Sequence, residues 1–303
     1  MKLGLKRVAQ RVGVDVARHR APLDLSHVSD IHPMEAAYLA EHRPVLLRVP
    51  LEKSLTFGLS AFVPTVHGIS PFVHALREWG SGEVESYADS LLKTFYERYQ
   101  PATAADMYGI EDAEGHMFST LPPASAPLPW RTHPPAQLAR LRAKQIAKEN
   151  RDHGIRLDAS AGDPFFGPVS SRKGQLEYGR LTGVYESIRS VGFKVDPSGL
   201  LNIRVVALVD GEIWRWLVVS AGQHRLAALA ALGYEEAIVQ LQINDGLGGV
   251  ILKEHCAQFP LVRKGVVDAP QMRRLFERLL QGKSPPCADA WAQELIGTSL
   301  DES

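Results

Sequence analysis

The stretch Trp214 to Leu241, WRWLVVSAGQHRLAALAALGYEEAIVQL, leaves this chain few ways to fold. Trp216-Leu217-Val218-Val219 is a short apolar run of strand-forming residues, and Ala221-Gly222 turns the chain. Leu226, Leu229, Ala230 and Leu232 then recur at helical spacing. Gly233 stands where a left-handed helix cap belongs, and Ala237-Ile238-Val239 opens another strand. The spacing predicts strand, tight turn, helix and strand, with Gln223, His224 and Arg225 in the first turn of the helix.

That placement has a chemical meaning. The first backbone N–H groups of a helix have no partners within it, and the aligned peptide dipoles leave that end partly positive. A glycine at the turn admits a ligand close to the backbone, and an Arg and a His beside free N–H groups complete an anion cradle suited to phosphate. Cations in a first turn oppose the dipole unless an anion offsets them. The competing reading is that His224 and Arg225 are solvated or paired to carboxylates elsewhere.

The run S-A-G-Q-H-R-L-A-A-L-A-A-L-G, followed by an apolar strand, resembles the signature of the ParB/sulfiredoxin superfamily. That signature is a glycine, two variable positions, an Arg often preceded by His, and an Ala-rich helix closed by Leu-Gly. The resemblance implies that Gly222, His224 and Arg225 hold nucleotide phosphates, with Gln223 at the variable position between them. Gln223 stands where sulfiredoxins carry a reactive Cys, which sets sulfiredoxin chemistry aside. Ala221 replaces the Asp of the D-G-H-H-R turn found in free-serine kinases. Ser187-Ile188 and Gly192 match an apolar helix that precedes the phosphate turn in this superfamily, so the resemblance covers roughly residues 160–260. It implies a small mixed sheet with flanking helices, and ATP or CTP with Mg²⁺ as cofactor.

With 303 residues the chain is long enough for a substantial core. Lys+Arg and Asp+Glu balance at 34 each. A protein that works on nucleic-acid backbone carries a basic surplus, so the balance argues against that partner. Two cysteines, Cys256 and Cys287, form neither a disulfide framework nor a metal-ligand spacing, and the scattered histidines show no metal pattern either. No apolar run approaches the ~20 residues of a membrane span. A cytoplasmic setting without membrane contact is expected. The basic, Val/Leu-spaced residues 1–20 read as an amphipathic helix, with a transit peptide as the alternative.

The fold class expected is α/β (α+β), in three parts. Residues 1–130 form a mainly helical N-terminal region, residues 131–260 the nucleotide-binding core, and residues 261–303 a C-terminal helix and tail. Pro44 to Pro50 reads as a short strand, Phe57 to Phe62 as another, and Glu83 to Arg98 as a helix. The proline-dense segment 121–137 is either a linker at the boundary or a strap wrapped on one domain. A charged helix follows from Pro135 to about Asn150, with Arg140, Arg142, Lys144 and Lys148 as a solvated face. A helix from about Leu176 to Val191, a strand from Leu200, an Asp210-Gly211 turn and a returning strand lead into the phosphate turn. Asp268 suits the N-cap of a last amphipathic helix, and Gly282 its end. The tail is too short for a DNA-binding domain of the chromosome-partitioning kind.

Phosphoryl transfer needs a base or metal-orienting group near the phosphates. Glu177 is the candidate, resembling in place the catalytic Glu of kinase members of the superfamily, and Arg180 one turn on could pair with it or reach a phosphate. The alternative for Glu177 is an acidic residue favoured in a first turn by the dipole alone. Ser170 to Lys173 reads as a polar turn, either solvated or binding. Three functions follow as expectations: a nucleotide-binding phosphotransferase acting on a small acceptor, a nucleotide-gated regulatory module without turnover, and a nucleic-acid binder or nuclease.

Overall fold

A computed structural model describes residues 21–110, 114–199, 201–244 and 246–301. The helix expected over residues 1–20 lies outside them. Strands β1 (Leu23–Asp24), β2 (Val45–Pro50), β3 (Ser54–Leu55), β4 (Arg204–Asp210), β5 (Ile213–Val218), β6 (Glu236–Leu241) and β7 (Val250–Leu252) form one mixed sheet. The order is β1-β2-β6-β4-β5-β3, with β7 beside β4. Helices α1 (Pro33–Ala40), α2 (Pro71–Ser81), α3 (Leu91–Arg98), α4 (Ala104–Tyr108) and α5 (Pro135–Asp152) precede α6 (Ser171–Val191) and α7 (Gln223–Ala231). After them come α8 (Pro260–Arg263), α9 (Ala269–Gln281) and α10 (Asp289–Asp301). The chain is therefore of the mixed α/β class.

The local signals around the central hairpin are met. β4 and β5 pair antiparallel, with Asp210 opposite Ile213 and Gly211 in the left-handed region at φ 56°. α7 ends where Gly233 takes φ 83°, and β6 follows. α9 starts on a capping box between Asp268 and Gln271, stops at Gly282, and buries Met272, Leu275, Phe276 and Leu279.

The sheet does not respect the boundary expected near residue 130. β2 pairs antiparallel with β6 along its whole length, from Val45 opposite Leu241 to Pro50 opposite Glu236. The N-terminal region thus supplies three strands of the sheet, as well as helices. In the proline-dense segment Trp130 is buried and meets Phe259 edge-on, and Lys264 donates to the Thr132 carbonyl.

Two other expectations are corrected. Residues 83–98 are not one helix. Gly82 stops α2 in the left-handed region, and a separate α3 begins where the Glu78 carboxylate accepts the Leu91 N–H at 2.9 Å. Residues 57–62 are not a strand but a short 3-10 turn, closed by a single bridge between Thr56 and Phe62. The turn places the Phe57 ring among Phe62, Phe72, Phe95 and Phe165.

α7 packs against α2 and α6, which brings the phosphate turn beside the helix that carries Glu177. Gly174 fixes how α6 meets the rest of the core, because a Cβ there would collide with the Tyr87 ring. Gly→Ala inside a helix ordinarily stabilises by up to about 1 kcal/mol. Here Gly174→Ala is expected to destabilise by about 1–3 kcal/mol through overpacking. Urea unfolding measures this, and a neutral or stabilising result would contradict the packing described.

Candidate functional site

Gly222 is the N-cap of α7, at φ 109°, and no side chain caps the helix there. A glycine is required on two counts. The backbone conformation excludes most side chains, and a Cβ would lie 2.7 Å from the Ile203 Cα. Ser220, two residues earlier, also sits in the left-handed region at φ 60°. The turn between β5 and α7 is thus tight, with the first N–H groups of the helix left without a side-chain acceptor.

Successive residues of a helix point about 100° apart, and the three polar residues of the first turn diverge accordingly. The Gln223 amide turns back on the strand ends: its Oε1 accepts from Phe57 N at 3.2 Å and its Nε2 donates to Val218 O at 3.3 Å. His224 turns towards α6, and Arg225 towards the loop before β4.

His224 Nε2 lies 2.7 Å from Glu177 Oε1, and its ring packs on Phe72. Arg180 donates to the other oxygen of Glu177 at 3.0 Å. Lys173, read from sequence as part of a polar turn, is instead fully buried within α6. Its Nζ donates to Asn150 Oδ1 at 2.8 Å and lies 3.6 Å from Glu177 Oε2. Ser170, the N-cap of α6, starts the helix early enough to place Lys173, Glu177 and Arg180 at i, i+4 and i+7 on one face.

Glu177 is only 2 % exposed. Burial alone would push its carboxyl up, but the imidazole of His224, then Arg180 and Lys173, outweigh burial and hold it at about 2. Burial pulls the Lys173 ammonium down, with Glu177 acting the other way. A carboxylate held so low is a weak proton acceptor, and its oxygens are already engaged. Glu177 therefore acts in this structure as a positioning group. It fixes the His224 ring through Nε2 and leaves Nδ1 without a partner among the described residues.

Arg225 stands apart from that cluster. One of its nitrogens donates to Asn202 O at 3.5 Å. Burial lowers its pKa, the neighbouring Arg204 guanidinium acts in the same direction, and Asp196 opposes both. Arg204, the first residue of β4, escaped sequence analysis because it opens an apolar strand with no local motif around it.

The strand ends beside α7 also border a cavity of about 410 Å³, lined in part by Val219, Ser220 and Gln223. Behind it Arg142 holds Asp163 through two hydrogen bonds of 2.7 Å. Burial would lower Arg142, but Asp163 prevails and raises it. Arg142, expected on a solvated face of α5, is thus a largely buried partner that stacks on Phe165.

No protein-family model matches the chain, and no curated protein or solved structure matches it either. No group of three or more His, Cys, Asp or Glu side chains suited to a metal ion occurs among the described residues. No helix among them is long and apolar enough to cross a membrane.

Proposed function

We propose that the chain is a nucleotide-binding protein of ParB/sulfiredoxin-like architecture, which holds the phosphates of ATP or CTP on the first turn of α7. One observation carries this reading. A helix end with no side-chain cap opens on Gly222, with Arg225 on one side and the Arg180–Glu177–His224 cluster on the other. Free N–H groups and guanidinium groups together suit phosphate oxygens. Mg²⁺ would arrive on the phosphate oxygens, since no dedicated carboxylate cluster stands ready for it among the described residues.

Phosphoryl transfer to a small acceptor is the catalytic form of this proposal. In it His224, oriented by Glu177, handles the proton, and Glu177 itself does not. The burial and low pKa of Glu177 favour a second form, nucleotide binding that gates a partner without turnover. Either form predicts that recognition centres on the phosphates. A fluorescent ATP analogue bound to the protein should be displaced by inorganic tripolyphosphate and left in place by adenosine. Displacement by adenosine alone would place recognition on the nucleoside and contradict the assignment to α7.

A further inference from the structure

The cavity beside β5 has a volume of about 410 Å³, within the range of small-molecule sites. Its lining is apolar where a core would ordinarily close. Leu138 and Leu141 stand one turn apart on α5 and border it, and Leu141 is 43 % exposed. Phe165 and Phe166 border it too and are only half-buried. Large apolar side chains gathered in one concavity and left open to water mark a binding site, as the same residues scattered singly would not.

The charges on the lining do not call for an ion. Arg142 and Asp163 engage each other through two hydrogen bonds of 2.7 Å. Arg131 is itself engaged, and His133 is exposed to solvent. An ionised ligand would give up its water for a lining with no buried counter-charge left over. Two further polar side chains are also committed: Gln145 donates to Glu149, and the Gln223 amide bonds Phe57 N and Val218 O.

Ser220 differs from these. It borders the cavity with its backbone in the left-handed region at φ 60°, where a glycine would be at ease. Its hydroxyl has no hydrogen-bond partner among the described residues. Such a hydroxyl can both donate and accept, and so can orient a neutral partner. We propose that this cavity binds a neutral, ring-bearing molecule that carries a hydroxyl group. Its ring packs on the leucines and phenylalanines, and its hydroxyl bonds Ser220 Oγ. The proposal draws on no cation and not on the first turn of α7, so it stands whether or not a nucleotide binds there.

Calorimetric titration of the full chain with 1-naphthalenemethanol tests it, beside 1-naphthoate, 1-naphthylmethylammonium and 1-methylnaphthalene. The alcohol should bind saturably, and at least about tenfold more tightly than either ion. Ser220→Gly, which suits the positive φ, should weaken the alcohol about fivefold, the scale of one neutral hydrogen bond, and leave the hydrocarbon unchanged. Leu138→Trp, at a half-buried helix position, should abolish binding of the alcohol while the circular dichroism spectrum stays as it is. No saturable heat from the alcohol at millimolar concentration would overturn the proposal. An ion that binds as tightly as the alcohol would do so too, as would alcohol binding indifferent to Ser220→Gly or surviving Leu138→Trp.

Discussion

Glu177→Gln is expected to destabilise the protein by about 3–5 kcal/mol, because it leaves buried cations without their counter-charge. Lys173 and Glu177 are both buried, and Arg180 and His224 close on the same carboxylate. Lys173→Met should be milder, about 1–2 kcal/mol, since Glu177 keeps two donors and the losses are the hydrogen bond to Asn150 and the longer 3.6 Å ion pair. Denaturant unfolding of the two variants checks this asymmetry, and equal losses would contradict it. The pH dependence gives an independent reading. Glu177 sits at about 2 in the folded protein against an ordinary 4.5. A depressed carboxyl stabilises above its unfolded value and loses that contribution as pH falls towards its folded one, here about 3 kcal/mol between pH 4.5 and 2. The gap in stability between wild type and Glu177→Gln should therefore close through that window, the other carboxylates cancelling in the difference. A gap that stays constant would mean the carboxylate is not held low.

Asp163→Ala is the second large effect, also expected at about 3–5 kcal/mol. It strands the Arg142 guanidinium beneath the cavity and removes the acceptor for Phe165 N at 2.9 Å. Arg142→Met should cost less, because its stem can still pack along Phe165 and Asp163 keeps the Phe165 N–H. If the arginine variant proves the weaker of the two, the pair does not have the buried character described.

Sequence alone carried the elements whose beginnings and ends are written in local chemistry. The Asp210-Gly211 hairpin, α7 with its Gly233 stop and α9 between Asp268 and Gly282 each have a cap or a positive-φ glycine at the expected place. Their buried faces follow from periodicity. Pairing of β2 with β6 was not legible, because both are short apolar runs and nothing local specifies a partner in the far half of the chain. The helix expected over residues 83–98 failed for a related reason: Glu78, outside the window, supplies the acceptor that starts α3 at Leu91.

At the site, sequence placed Glu177, Arg180 and His224 near one another but read Lys173 as part of a polar turn and Arg142 as part of a solvated face. Charged residues read by default as solvated faces, and their burial is settled by partners such as Asn150 and Asp163 that only the tertiary structure brings. The divergence of Gln223, His224 and Arg225 was implicit in the helical repeat. What each residue meets was not.

The central claim is that α7 receives nucleotide phosphates, and calorimetric titration of Mg-ATP and Mg-CTP into wild type and Arg225→Ala tests it most directly. Saturable binding of at least one nucleotide by the wild-type protein, lost on the substitution while the unfolding transition stays in place, is the predicted result. Absence of binding by the wild-type protein to either nucleotide, or binding indifferent to Arg225, would contradict it.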